Sequence, residues 1–227
     1  MASQKKITLL APFIFCLFLI FTCSDVHAQG VYGYYRYPDI HNNTIVFNAE
    51  GDLWKVSATG GIAQRLTTHP EEELYPSISP DGSSVAFSAS YEGPMEVYSM
   101  PLNGGIPSRW TFERDPSSVN SWTPDGKIIY STRAYSKVPD DQLVTMDMNS
   151  LQKTRIPLAQ ATEACFDDSG NTLYFVRPAY HRNVTKRYQG WTARQIWKFT
   201  SGSEEAVKLT TDHPGESHHP MWYDGRV

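Results

Sequence analysis

Between Tyr75 and Met100 the chain reads YPSISPDGSSVAFSASYEGPMEVYSM, short runs of alternating apolar and small or polar residues cut by Pro-Asp-Gly. Alternation with period two predicts strands, and the proline and Asp-Gly supply the turns between them. The same plan returns in VNSWTPDGKIIYSTRAYSKVPDDQLVTM, from Val119 to Met146, and in EACFDDSGNTLYFVR, from Glu163 to Arg177. Pro80-Asp81-Gly82 and Pro124-Asp125-Gly126 lie 44 residues apart, and Asp168-Ser169-Gly170 follows after another 44. Asn42-Asn43 takes that place earlier and Asp224-Gly225 takes it near the end. A repeat in the forties with turn-rich punctuation is the mark of a propeller or a similar array.

Each unit divides into four predicted strands. PDI, YPSIS, NSWT, EACFD and HPMWY precede the turn; TIVFNA, SVAFSA, KIIYSTR and TLYFVR follow it. DLWKVSA, MEVYSMP, QLVTMDM and QIWKFT form the third strand, and AQRLTT, PSRWTF, KTRIPL and AVKLTT the fourth. The expected fold is therefore all-β: a β-propeller of four-stranded blades at approximately 32–68, 75–112, 119–158 and 163–212, with the start of a further blade at 218–227. A β-sandwich would not need the same turn at a fixed interval. Trp54, Val97, Val144 and Trp197 are expected to be equivalent third-strand positions facing the space between blades. About four blades plus the start of a fifth make an incomplete ring, so the chain reads as part of a larger propeller, with open faces that favour self-association.

Residues 1–28 differ from the rest. Lys5 and Lys6 precede the apolar run ITLLAPFIFCLFLIF, and Val26-His27-Ala28 offers small residues for cleavage before Gln29. This is the pattern of a secretory signal, with a run shorter than the roughly 20 residues of a spanning helix. The expected location is periplasmic or secreted, with no membrane attachment after cleavage; lipid attachment at Cys23 is a lesser alternative. The mature domain is then 29–227, with Cys165 as its one cysteine, so no internal disulfide supports it. The 227 residues are 40% hydrophobic and 13% aromatic, enough for a packed core. A net charge of −4 argues against a nucleic-acid partner.

No catalytic motif is written in the chain. It contains no G-x-S-x-G, H-E-x-x-H, C-x-x-C, G-x-G-x-x-G or phosphate-binding loop, so no catalytic residue, cofactor or metal ligand is expected. His213, His218 and His219 cluster near Glu216, but LTTHPEEELYP places His69-Pro70 equivalently, so these histidines read as junctions between blades. The fourth unit carries an insertion, AYHRNVTKRYQGWTAR, with Arg182, Lys186, Arg187 and Arg194 among aromatics and no acid. Those four are the candidate contacts for a peptide carboxylate or a partner surface, against the plainer reading of an elaborated hairpin.

The frame of LT, then P-x-x-S-P-D-G, a strand and GG in LTTHPEEELYPSISPDGSSVAFSASYEGPMEVYSMPLNGG resembles the repeats of TolB and dipeptidyl-peptidase type propellers. YYRYPDIHNNTIVFNAEGDLWKVSATGGIAQRLT, SWTPDGKIIYSTR and NVTKRYQGWTARQIWKF narrow the resemblance to the tricorn protease family, over residues 32–227. The resemblance implies the substrate-gating propeller of a serine peptidase that degrades peptides, with its catalytic residues far downstream and without counterpart here. Implied partners are peptides or unfolded polypeptides, the C-terminal part of the same protein and further copies of it. The alternatives are a TolB-like interaction propeller and the propeller of a dipeptidyl-peptidase-like hydrolase. On every reading the chain alone is expected to lack peptidase activity.

Overall fold

The computed structural model describes residues 33–177 and 193–227, and every secondary-structure element among them is a strand. Four sheets follow in order. The first holds β1 (Arg36–His41), β2 (Thr44–Ala49), β3 (Asp52–Ser57) and β4 (Gln64–Arg65). The second holds β5 (Glu73–Ile78), β6 (Ser84–Ala89), β7 (Glu96–Pro101) and β8 (Ser108–Arg109). The third holds β9 (Ser117–Trp122), β10 (Ile128–Thr132), β11 (Gln142–Met146) and β12 (Lys153–Arg155). The fourth holds β13 (Thr162–Phe166), β14 (Thr172–Arg177), β15 (Gln195–Thr200) and β16 (Val207–Lys208). Each is an antiparallel meander with strands paired in sequence order, as a propeller blade requires. The inner strands pack in succession, β1 on β5, β5 on β9 and β9 on β13. The predicted strand HPMWY forms no named strand; an isolated bridge joins its last residue, Tyr223, to Arg226.

The repeated turns explain the repeated Gly. Gly82, Gly126 and Gly170 have φ of 70°, 82° and 71°, and their N–H groups donate to Ser79, Thr123 and Asp167 at 2.8, 2.9 and 3.0 Å. Only a residue without Cβ adopts that conformation at no steric cost. The central strands are apolar on both faces because both faces are covered. Val46, Leu53, Ile78, Val85, Phe87, Tyr98 and Met100 fill the space between the first two blades. Ala86, Val97, Val119, Trp122, Tyr130 and Val144 fill the next, and Ile129, Leu143, Leu173, Phe175 and Trp197 the third.

These clusters correct one expected equivalence. Phe47 pairs with Trp54, Phe87 with Tyr98, Tyr130 with Val144 and Phe175 with Trp197. The counterpart of Trp54 is therefore Tyr98, not Val97. Tyr98, Val144 and Trp197 face the preceding blade, whereas Leu53, Val97 and Leu143 face the following one. Trp54 has no preceding blade to face among the described residues and is half-buried.

Two kinds of polar contact close the structure. Within blades, a threonine beyond the short fourth strand accepts from the third-strand backbone: Leu53 N on Thr67 Oγ1 at 2.8 Å, Val97 N on Thr111 at 2.8 Å, Ile196 N on Thr210 at 3.1 Å. These hydroxyls donate onward to Glu73, Glu96 and Gln195. In the third blade Pro157 follows Ile156 where the other blades have Thr after Leu66, Trp110 and Leu209. Between blades, the backbone N–H of one inner strand meets the previous blade: Ile78 on Asp39 Oδ2 at 2.6 Å, Val119 on Ser88 Oγ at 2.8 Å, Ala164 on Asn120 Oδ1 at 3.1 Å.

Glu113 links the second and third blades. Its carboxylate accepts from Tyr130 at 3.0 Å, Tyr135 at 2.9 Å and Lys153 Nζ at 2.7 Å. Burial pushes this carboxyl up, but Lys153, Tyr135 and Tyr130 together bring it below its ordinary value. A folded-state pKa below the unfolded one adds stability above the unfolded value of about 4.3, lost as pH falls through the folded value. Asp39 and Glu73 are raised by burial and act with the opposite sign, so the test is a difference. Glu113→Gln is expected to cost about 1–3 kcal/mol near neutral pH, and the gap from the parent should close as pH falls below about 4. Urea midpoints measured across that range check it; a gap independent of pH would contradict the assignment.

Candidate functional site: the axial cavity

The inner strands share an irregularity. Each of β1, β5, β9 and β13 carries a β-bulge against its second strand, between Arg36 and Asp39, Leu74 and Ser77, Val119 and Ser121, and Thr162 and Cys165. Tyr37, Tyr75 and Glu163 stand at the same position in three of these bulges, whereas Val119 of β9 still pairs with Tyr130. Tyr37, Tyr75 and Glu163 have φ of 51°, 54° and 49°, and His219, in the segment beside β13, has 55°. A non-glycine residue there costs on the order of 1–3 kcal/mol, and bulges of this kind re-aim side chains next to sites. Two of the bulges meet, with the Tyr37 and Tyr75 rings 4.5 Å apart, and the Glu163 bulge meets the segment after the fourth blade, His219 N donating to Glu163 Oε2 at 2.8 Å.

The bulges open onto one cavity of about 780 Å³, lined by all four inner strands and by residues 218–223. Its wall mixes aromatic surface, including Tyr37, Tyr75 and Trp122, with the polar groups of Asp39, Asn120, Glu163 and Arg194. Burial pushes the Asp39 carboxyl up against the hydrogen bonds from Ile78 and Ile40 N–H and from Ser77. Trp122 Nε1 donates to Ser77 O at 2.9 Å, which fixes its ring across the seam between blades. Trp222 stacks on Tyr174 with centroids 5.4 Å apart, tying the 218–223 segment to the fourth blade.

Of the four basic residues expected to contact a peptide or partner, Arg182, Lys186 and Arg187 lie outside the described residues. Arg194 lines the cavity but is buried, and its guanidinium donates at 3.2 Å to both Glu163 Oε1 and Glu216 Oε2. It orients carboxylates of its own chain. His69 has the junction role expected of it: its ring stacks on Tyr91 at 3.9 Å and its N–H donates to Asp52 at 3.3 Å. His218 and His219 differ from it, for both approach Glu163. Burial, with Arg194 nearby, lowers the His218 imidazole below its ordinary value. The Cys165 thiol is pushed up to about 12 by burial, which suits a packing residue and not a nucleophile. Asp39 and the tyrosine pair were not singled out from the sequence; the shared Tyr-Pro of YPD and YPS was the available signal.

Residues 32–227 match the family model described as the tricorn protease N-terminal β-propeller domain. Tricorn protease homolog 1 of Streptomyces coelicolor is 27% identical over 197 residues, covering 86% of this chain and 18% of that protein. The tricorn protease of Thermoplasma volcanium is 27% identical over 174 residues, covering 72% of this chain and 16% of that protein. The chain thus spans less than a fifth of the length of these relatives. The crystal structure of the tricorn protease superposes with a TM-score of 0.72 at 22% identity, over 85% of this chain and 20% of that one. TolB from Acinetobacter baumannii superposes with a TM-score of 0.62 at 19% identity, over 78% of this chain and 44% of that one, a likeness of fold alone. With the blades, their order and the match over residues 32–227 in agreement, the chain belongs to the family of tricorn protease N-terminal β-propeller domains.

Proposed function

We propose that this chain is the substrate-gating propeller of an exported tricorn-like serine peptidase that degrades peptides. The observation that carries the reading is the axial cavity of about 780 Å³, lined by the inner strands of a propeller of this family. An extended peptide suits such a cavity, because the bulges present aromatic faces beside hydrogen-bonding groups. Peptides or unfolded polypeptides enter; the remainder of the same protein supplies the catalytic serine and its base; further copies complete the assembly. The charged and apolar pattern of residues 1–28 supports export to the periplasm or beyond.

The test uses the full-length peptidase. Ile40 and Met221 line the cavity and are 51% and 61% exposed, so their replacement narrows the space without touching a seam. Ile40→Trp combined with Met221→Trp is expected to lower kcat/KM for long peptides by about tenfold, the scale of a steric mismatch in a pocket, and to leave tripeptides nearly unchanged. Equal effects on long and short peptides, or none on either, would overturn the gating role.

A further inference from the structure

Glu163, His218 and His219 bring one carboxylate oxygen and two imidazole nitrogens within 4.8 Å of one another, the one such grouping among the described residues. Glu163 Oε2 lies 3.9 Å from His218 Nδ1 and 3.4 Å from His219 Nδ1. A tetrahedral ion with bonds of about 2.0–2.1 Å holds neighbouring ligand atoms about 3.3–3.4 Å apart. The two separations from Glu163 already stand near that edge length, and the two imidazole nitrogens lie within 4.8 Å of each other. We propose that they bind a divalent transition-metal ion of the zinc class, which fastens the fourth blade to the segment that follows it.

Convergence of these side chains is not the default. Adjacent residues of an extended chain point to opposite sides, so His218 and His219 would ordinarily diverge. The positive φ of 55° at His219 breaks the alternation, and that of 49° at Glu163 turns the carboxylate to meet them. The rings of the two histidines lie 4.6 Å apart, edge to face. The bulge explains the backbone of Glu163, since Tyr37 and Tyr75 have it too. It does not explain the chemistry: between the first two blades bulges bring tyrosine to tyrosine, and here a bulge meets two imidazoles from the segment after the fourth blade.

The surroundings supply what a ligating carboxylate needs. Arg194 holds Oε1 at 3.2 Å and His219 N–H holds Oε2 at 2.8 Å, so the carboxylate is oriented before an ion arrives. Glu216, at 3.2 Å from Arg194, balances the guanidinium and leaves the charge of Glu163 for the ion. Two imidazoles and one carboxylate select zinc-like ions over calcium or magnesium, which take oxygen ligands. All three residues line the axial cavity, so the fourth position faces it and takes water or a ligand group. This site does not depend on the gating role and stands or falls separately.

The experiment titrates the full chain, stripped with chelator, with Co²⁺ and then Zn²⁺. One Co²⁺ per chain is expected, with the visible absorption of a tetrahedral site, displaced by Zn²⁺. Loss of a partner that merely orients a ligand costs about 10–100-fold in affinity, so losing a ligand should cost at least as much: Glu163→Gln about 10-fold or more, and His218→Ala with His219→Ala about 100-fold or more. His69→Ala and His213→Ala should leave it unchanged. Should the double variant fail to fold, the isosteric Glu163→Gln reads the same question. No Co²⁺ absorption up to millimolar metal, or full binding by a folded Glu163→Gln or double-histidine variant, would overturn the proposal.

Discussion

Replacing Thr111 by valine is expected to lower the free energy of unfolding by about 2–5 kcal/mol, out of proportion to the loss of one hydroxyl. Valine keeps the shape, so packing is not the cause. Thr111 is fully buried; its Oγ1 accepts from Val97 N at 2.8 Å and donates to Glu96, itself 1% exposed. The substitution strands a backbone N–H in the core and removes a donor from a buried carboxylate, each costing about 1–3 kcal/mol. Glu96 keeps Arg109 at 3.1 Å and Glu113 N–H at 3.0 Å, which sets the upper end of the loss. Thr145→Val, at a half-buried hydroxyl bonded to Thr154 O at 3.3 Å, is the matched control and should change stability by about 0.5 kcal/mol or less. Equilibrium denaturation in urea separates the two; similar midpoints for both variants would mean that the threonine latch does not hold the third strand.

The order of strands was legible because turn chemistry repeats with the blade. Asp-Gly and Asp-Ser-Gly mark one turn position, and counting back and forward from it finds the first two strands of each unit. Counting failed at the third strand. The connection from Ala49 to Asp52 is short, whereas that from Ala89 to Glu96 carries SYEGPM, so distance from the turn no longer reports register. Cross-strand pairing does, and it makes Tyr98 the partner of Trp54. The predicted fourth strands AQRLTT, PSRWTF and AVKLTT pair over two residues each, because their Thr leaves the ladder to serve as the latch.

The site was less legible, for physical reasons. Left-handed backbone is ordinarily signalled by glycine, yet it falls on tyrosine and glutamate at the bulges and on histidine in the segment beside β13, and these carry no such signal. Glu163 and His219 are 56 residues apart and meet only because the segment after the fourth blade returns to the inner strand β13. Arg194 closes a basic run without an acid nearby in sequence and so resembles a solvated surface. Its two carboxylates come from β13 and from the stretch after β16, which no local pattern reports.

Phe87→Ala is expected to cost about 3–5 kcal/mol and Trp54→Ala distinctly less, about 1–2 kcal/mol, although tryptophan is the larger residue. Phe87 is fully buried in the central strand β6, stacked on Tyr98 at 5.9 Å, with apolar neighbours from two blades. Deleting its ring leaves a cavity that strands on both sides hold open. Trp54 sits on the outward face of the first blade, half-buried, beneath the Arg65 guanidinium at 5.9 Å, with Nε1 donating to Ala49 O at 3.0 Å. Its loss removes one hydrogen bond and a weak cation–π contact, and the site stays open to solvent. Unfolding midpoints at two protein concentrations give the comparison. A loss at Trp54 equal to that at Phe87 would mean that this face is covered in solution. If that loss grew with protein concentration, the cover would be a second copy of the chain.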